Sequence, residues 1–191
     1  MKTASSPSFH LLVAITGASG SVYASMLLKK LLSKLDIRLS IVLSKNAFMV
    51  WQDECKAPLP QAPQWTYWDI YDFSAPFASG SNPADSMIVL PCSMGTLARI
   101  ATGISDNLIT RAADVQLKEK RPLVLALRES PYNSIHLHNM TLALQAGATL
   151  APASPSFYHH PNTIEELIEP SVDRLLYLCG AVANYEGKKW G

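Results

Sequence analysis

The chain has 191 residues, enough for one compact domain with a sizeable buried core. Sixteen basic and fifteen acidic side chains leave a formal charge of +1, which argues against a protein that binds nucleic acid mainly through charge. Hydrophobic residues make up 48% of the chain and charged residues only 16%, so we expect other subunits to cover part of its surface. No apolar run approaches the ~20 residues of a membrane-spanning helix. Residues 1–10 lack the features of a signal peptide, so we expect a cytoplasmic protein with three reduced cysteines.

Short apolar runs alternate with segments of helical periodicity along most of the chain. The runs predict buried strands at 11–15, 38–43, 86–90, 123–127 and 148–152. Helices are predicted at 22–33, 107–120 and 135–145, the last followed by Gly147 at a position typical of a helix C-cap. This alternation predicts an α/β fold, a three-layer, doubly wound parallel sheet that is flavodoxin-like or Rossmann-like, with residues 1–191 as a single domain.

Residues 56–85 interrupt this alternation. They hold five of the thirteen prolines and six of the sixteen aromatic residues, so we expect a long loop that is functional or lies between subunits. Within it, Phe73 and Phe77 lie next to a small-residue turn at 78–81 and are candidates for the wall of a site. Near the C-terminus, Thr163 and Glu166 form a capping-box pattern, and we expect Pro170 to divide the last helix.

Small polar residues follow three of the predicted strands, at the edge where a parallel sheet binds ligands. The turn 16–21 is rich in Gly and Ser, Ser44 follows the second strand, and 93–96 begin a helix after the third. The turn 16–21 matches neither the GxGxxG fingerprint nor a phosphate loop with its lysine, which disfavours a dinucleotide or ATP site. Free backbone N–H groups and three sets of hydroxyls favour a phosphorylated cofactor such as FMN.

Several cations and a phenol could surround a second phosphate. Arg111 and Lys118 lie two turns apart on one predicted helix, and Arg128 directly follows a buried strand. Tyr158 lies in the next loop and Arg174 on the last helix. Each residue alone is better explained as an ordinary surface charge or salt bridge, least so Arg128, which needs a partner at the end of an apolar strand. Together they could form a phosphate clamp.

Metal and nucleophile chemistry receive little support from the sequence. His136 and His138 are two residues apart on a helix and do not share a face, so they cannot form an i, i+4 metal pair. Cys92 has no evident histidine partner, and the chain lacks the GxSxG motif of serine hydrolases. We expect no metal site.

Several of these segments together resemble the flavin prenyltransferases of the UbiX type. The resemblance rests on Thr-Gly-Ala-Ser-Gly at 16–20, Pro-Cys-Ser at 91–93 with Thr96, the stretches 106–109, 111–115 and 117–119, Arg-Glu at 128–129 with 135–137 and 139–140, and Phe-Tyr at 157–158. It covers nearly the whole chain, and the run 106–140 is its most specific part.

The resemblance implies a flavodoxin-like subunit of a homododecamer that transfers a dimethylallyl group from dimethylallyl monophosphate to reduced FMN. A UbiD-type decarboxylase would receive the prenylated FMN, and both ubiquinone synthesis and aromatic-acid breakdown stay open. The implied FMN contacts are Gly17, Ala18, Ser19, Ser44, Ser93, Met94, Gly95, Thr96 and Arg128. The implied substrate-phosphate contacts are Arg111, Lys118, Arg128, Tyr158 and Arg174, some of them from neighbouring subunits.

The resemblance also implies the acid–base groups. Glu54 and Glu129, with Ser19, match proton-transfer positions, and Lys118 belongs to the catalytic set. Phe73 stands where the family often has tryptophan, which implies a smaller aromatic wall for the substrate. Two alternatives remain: an FMN-dependent cysteine-type decarboxylase of the same fold, disfavoured because 44–54 contain no histidine, and a non-catalytic flavin-binding subunit of a hydroxyarylic acid decarboxylase.

Overall fold

The computed structural model describes residues 9–185 and 187. Six strands form one parallel sheet: β1 Phe9–Ile15, β2 Ile37–Leu43, β3 Trp65–Trp68, β4 Ser86–Cys92, β5 Leu123–Leu127 and β6 Thr149–Leu150. The helices are α1 Ser21–Leu31, α2 Lys45–Cys55, α3 Met94–Ala101, α4 Leu108–Lys118, α5 Ser134–Gln145 and α6 Ile164–Leu178. A 3-10 turn spans Pro76–Ala78. Helices on both faces confirm the predicted three-layer architecture.

The strand order is β3-β2-β1-β4-β5-β6. The central strand β1 pairs with both β2 and β4, and Val13 aligns with Ile41 on one side and Ile88 on the other. The five predicted strands alone stand in the flavodoxin-like order, and the additional edge strand β3 extends it to the Rossmann order. The order reverses between β1 and β4, so the carboxyl ends of these strands should border a ligand crevice.

Two hydrophobic cores lie on opposite faces of the sheet because successive side chains of β1 point to opposite sides. Leu11 and Val13 pack with residues of α1, α2 and α6. Leu12 and Ala14 pack with residues of α3, α4 and α5. The helix α5 is shallowly packed: only Asn139 and Ala143 are buried along it. Its exposed residues include three large apolar side chains, Ile135, Leu137 and Leu144.

The segment 56–85 is more ordered than the sequence predicts. Its residues Trp65–Trp68 pair with β2, and Trp65 is buried against the core. Farther along, Phe77 is only 1% exposed and its ring packs edge-on against His10 and Trp68. The prediction that Phe77 forms a site wall is therefore wrong, whereas Phe73 is exposed.

The helix α6 continues through Pro170 without a break, so the predicted division is wrong. Proline removes the N–H that would bond to the carbonyl four residues earlier, which is that of Glu166. That carbonyl oxygen instead accepts a hydrogen bond from His159 Nε2 at 3.1 Å. At the start of α6, Thr163 caps the N–H of Glu166, but the Glu166 carboxylate accepts from Asn162 N rather than from Thr163. The capping box is therefore only half formed.

Gly147 follows α5 with a φ of +105°, which confirms the predicted C-cap. The three cysteines are unpaired. Within residues 9–185, no helix combines the length and apolar character that crossing a membrane requires.

Candidate active site

Backbone and side-chain hydrogen bonds fasten together the turns that follow β1, β2 and β4. The hydroxyl of Thr16 donates to the carbonyl oxygen of Pro91 at 2.7 Å and accepts from the N–H of Ser93 at 2.9 Å. The N–H of Ser44 donates to the carbonyl oxygen of Ile15 at 3.0 Å. The Thr16 bonds cross the point where the strand order reverses, and the Ser44 bond joins β2 to β1, so the three small-residue turns share one rim.

Two helices begin at this rim with serine caps. The hydroxyl of Ser44 accepts from Ala47 N at the start of α2, and the hydroxyl of Ser93 accepts from Thr96 N at the start of α3. Each cap satisfies one first-turn N–H group and leaves others without a helical partner, the usual basis of an anion site. A Cβ atom at Gly17 would lie only 2.5 Å from Asn46 Cβ, so glycine permits the close approach of the β1 turn to α2.

A cavity of about 420 Å³ opens between these turns. It is lined by Thr16, Gly17, Ser44, Asn46, Ile70, Tyr71, Ser93, Gly95, Thr96, Arg99, Asp106, Asn107 and Ile109. Hydroxyls, two amide side chains, a guanidinium and a carboxylate make part of its wall polar, and Ile70, Tyr71 and Ile109 add apolar surface. This combination suits a ligand with a planar ring and a phosphorylated chain.

Five residues of the implied FMN set line this cavity: Gly17, Ser44, Ser93, Gly95 and Thr96. Ala18 and Ser19 lie on the same turn outside its wall. The side chain of Met94 is buried in the core beneath α3, so only its backbone can meet a ligand here.

Sequence reasoning did not assign Arg99 or Asp106 to the cavity. The guanidinium of Arg99 donates to Asp106 at 3.2 Å and to the carbonyl oxygen of Gly95 at 3.1 Å. Desolvation pushes the pKa of Asp106 upward, but the hydrogen bond and charge of Arg99 outweigh it and hold that pKa below its usual value. Asp106 lies in the sequence run that carries the resemblance, which could have drawn attention to it.

The carboxylate of Glu54, from the end of α2, lies on the first turn of α1. It accepts hydrogen bonds from Gly20 N at 2.9 Å and from Ser21 N at 2.7 Å. Gly20 is the N-cap of α1, has a φ of +112° and offers no side chain for capping. Glu54 therefore supplies the negative charge that the N-terminus of α1 otherwise lacks. This arrangement also places Glu54 one residue from Ser19.

Arg128 approaches the same turn from β5. Its Cγ lies 3.8 Å from the position that a Cβ atom of Gly20 would occupy. Burial raises the pKa of Tyr23 on α1, and the nearby charge of Arg128 partly offsets that rise. The structure thus brings Ser19, Glu54 and Arg128 to one turn. Glu129 is exposed next to Arg128, and its carboxylate accepts from Ser130 N at 2.9 Å.

A second cavity, of about 440 Å³, lies between α6 and the segment that follows β6. Tyr158 and Arg174 both line it, although sixteen residues separate them in sequence. The wall of the cavity continues the sheet edge, because Ala153 N donates to the carbonyl oxygen of Leu127 at 3.0 Å. Leu127 directly precedes Arg128, so Arg128 lies at the edge that leads to this cavity.

Arg111 and Lys118 lie elsewhere, along the outer part of α4. Arg111 donates to the carbonyl oxygen of Ala78 at 2.9 Å, and Lys118 Nζ lies 3.2 Å from the carboxylate of Glu119. A Cβ atom at Gly80 would come within 2.6 Å of Lys118 Nζ, so the 78–81 turn lies against this lysine. Eleven helical residues span about 16 Å, which carries Lys118 from the rim to the opposite edge of the sheet. One subunit therefore does not bring Lys118 to either cavity.

Comparisons with known proteins match this geometry. The profile of the family described as Flavoprotein matches residues 2–176. A flavin prenyltransferase UbiX of Methanocaldococcus jannaschii is 40% identical over 183 residues, which are 95% of this chain and 98% of that protein. The chain belongs to the UbiX-type flavin prenyltransferases.

The chain also superposes on solved structures of UbiX-type proteins. AnUbiX (PadA1), in complex with FMN and dimethylallyl pyrophosphate, superposes with a TM-score of 0.85 at 39% identity and covers 96% of this chain and 97% of its own. A dodecameric FMN-dependent UbiX-like decarboxylase from Escherichia coli O157:H7 superposes with a TM-score of 0.87 at 36% identity and covers 96% of this chain and all of its own.

Proposed function

We propose that this UbiX-type protein transfers a dimethylallyl group from dimethylallyl monophosphate to reduced FMN and so produces prenylated FMN. The observation that carries the proposal is the pair of cavities along one edge of the sheet. Hydroxyls and helix N-termini surround the first, and Tyr158 and Arg174 line the second. Arg128 and Glu54 lie at the turn that begins α1 on the same edge.

The first cavity fits FMN. Two serine-capped helix starts and the hydroxyl of Thr96 offer donors to a phosphate or a ribityl chain, and the missing side chain of Gly17 lets the β1 turn lie close to α2 beside them. Reduced FMN, when bound, supplies the nucleophilic flavin ring that accepts the dimethylallyl group. Ile70 and Ile109, which line the same cavity, would exclude water from that ring.

The second cavity fits the phosphate of the donor. When the allylic C–O bond breaks, negative charge grows on the departing phosphate, and fixed cations lower the free energy of that state. Arg174 and the hydroxyl of Tyr158 would bind the phosphate, and Arg128 would reach it from the neighbouring strand. Glu129 would deliver a proton to the phosphate, while Glu54 and Ser19 would move protons at the other side of the site. These assignments need no metal ion.

The position of Lys118 supports an oligomeric active site. Lys118 lies at the sheet edge opposite the cavities, and Arg111, near the start of α4, lines neither of them, so both would complete the phosphate site of a neighbouring copy. The exposed apolar side chains of α5 provide a surface on which copies could meet. We propose a homododecamer, the assembly reported for the UbiX-like protein of Escherichia coli.

The product would serve a second enzyme. Prenylated FMN would pass to a UbiD-type decarboxylase in the cytoplasm, a compartment in which the three unpaired thiols would remain reduced. The rival decarboxylase function would need a histidine after β2, and α2 contains none.

Mass spectrometry of the extracted flavin tests the proposed function. Anaerobic incubation with reduced FMN and dimethylallyl monophosphate should add one five-carbon group to the flavin, and an unchanged mass would overturn the proposal.

Lys118→Ala should weaken use of the donor and leave FMN bound. Lys120→Ala, two residues farther along, is the matched control and should behave as wild type. If Lys118→Ala weakened FMN binding as much as it weakened use of the donor, the role given to Lys118 would be contradicted.

A further inference from the structure

Two tyrosine rings hold the guanidinium of Arg174. Its Cζ atom lies 5.4 Å from the ring centroid of Tyr177 and 5.9 Å from that of Tyr185. Both distances are within the ~6 Å at which a cation is attracted to an aromatic face. Tyr177 lies one helical turn farther along α6, whereas Tyr185 comes from the chain segment that follows this helix.

The acidic side chains near Arg174 already have another partner. Lys30 from α1 lies 2.7 Å from the carboxylate of Glu169 and 2.8 Å from that of Asp173. In the part of the chain that the structure describes, Arg174 forms no salt bridge with any carboxylate. Its position is therefore fixed by aromatic faces, and its positive charge is not offset by a directly paired carboxylate.

Tyr185 belongs to the wall of the second cavity, together with Tyr158 and Arg174. Its ring packs edge-on against that of Tyr177 with centroids 6.4 Å apart, and its hydroxyl lies 3.5 Å from the carbonyl oxygen of Pro170. Burial raises the pKa of Tyr185, and nearby Tyr158 raises it further, so the phenol is neutral at pH 7 and adds no charge to the cavity.

We propose that Tyr185 is a positioning residue for the donor phosphate: its ring keeps the Arg174 guanidinium directed into the cavity that Tyr158 shares. The proposal rests on the proposed function for the identity of the ligand as an allylic monophosphate. A guanidinium held by ring faces keeps its N–H groups at the plane edge for the phosphate, and less side-chain entropy is lost when the phosphate binds.

The test compares three substitutions of Tyr185 in the full-length enzyme loaded with reduced FMN. Tyr185→Ala and Tyr185→Leu should each raise the KM for dimethylallyl monophosphate by about three- to tenfold, the range expected for a partly exposed cation–π contact, with kcat changed less than twofold. Tyr185→Phe keeps the ring and should retain the wild-type KM. A wild-type KM for Tyr185→Ala would overturn the proposal, and so would a Tyr185→Phe variant as impaired as Tyr185→Ala.

A double-mutant cycle separates positioning from general destabilisation. In an Arg174→Ala background, Tyr185→Ala should raise the KM no further, because the ring acts only through the guanidinium. Additive effects would show that Tyr185 acts independently and would overturn the proposal. Unchanged FMN affinity and thermal midpoint in Tyr185→Ala verify that the fold is intact.

A binding measurement keeps this proposal distinct from the proposed function. Calorimetric titration of the FMN-loaded protein with inorganic phosphate should show weaker binding to Tyr185→Ala than to Tyr185→Phe, whether or not any flavin is prenylated. Equal phosphate affinities would overturn the positioning role. An unprenylated flavin with wild-type protein would overturn the proposed function alone.

Discussion

Removal of the Glu54 carboxylate should destabilise the start of α1. This helix has no acidic residue in its first turn, and its N-cap, Gly20, makes no side-chain hydrogen bond. The two N–H groups of Gly20 and Ser21 donate to Glu54 instead. We therefore predict that Glu54→Ala lowers the free energy of unfolding by about 1–2 kcal/mol, comparable to loss of a side-chain cap together with a favourable helix-dipole charge.

Glu54→Gln divides this effect into its parts. The amide keeps one acceptor oxygen but loses the negative charge, so we expect about half of the loss, roughly 0.5–1 kcal/mol. The charge-dependent part should shrink when salt is raised to 1 M, because the turn is partly exposed to solvent. Asp53→Asn is the matched control: Asp53 is exposed, and we expect a change within about 0.5 kcal/mol.

Urea unfolding of the flavin-free protein at pH 7 measures these changes, with every variant at one protein concentration because an oligomer's stability depends on it. Removal of flavin separates the effect on the fold from any effect on turnover. If Glu54→Ala is no less stable than Asp53→Asn, the Glu54 carboxylate does not stabilise α1 and the reasoning fails.

Three further changes test other parts of the structure. Burial, with the nearby charge of Arg38, lowers the pKa of His10 to about 4. The unfolded chain therefore binds the proton first as the pH falls, and the free energy of unfolding should decrease between pH 6.5 and 4 by on the order of 3 kcal/mol. Urea unfolding of His10→Asn should show a shallower dependence of this free energy on pH. Gly17→Ala would push the β1 turn away from α2 and should weaken FMN binding at least tenfold by fluorescence titration, whereas equal affinity would contradict the close approach. Gly80→Ala would displace the Lys118 ammonium and should raise the KM for the donor with little change in thermal midpoint.

The sequence predicts the central strands well because each is buried on both faces and therefore reads as an unbroken apolar run. It misses β3 for a physical reason. This edge strand has only four residues and stands in a segment rich in proline, a residue typical of turns and loops. Its pairing with β2 depends on a tertiary contact that no local pattern encodes.

The same limit explains the wrong prediction at Pro170. Local chemistry predicts a helix break because proline leaves the carbonyl oxygen of Glu166 without its helical donor. The break is avoided by His159, which precedes the helix and donates to that oxygen. Phe77 is a parallel case: an aromatic residue beside a small-residue turn can face either a site or the core, and only the packing of His10 and Trp68 decides between them.

The site shows which kind of function a linear sequence can reveal. Residues that directly follow strands, such as Ser44 and Ser93, must lie at one edge of a parallel sheet, so their meeting at one cavity follows from the order of elements. Lys118 lies ten residues into a helix that runs away from this edge, and the same rule places it at the opposite edge. If both ends of the molecule serve one reaction, the reacting site must form between copies. The low content of charged residues and the exposed apolar side chains of α5 are then consequences of the same arrangement, because a surface that meets another copy cannot be covered with charge.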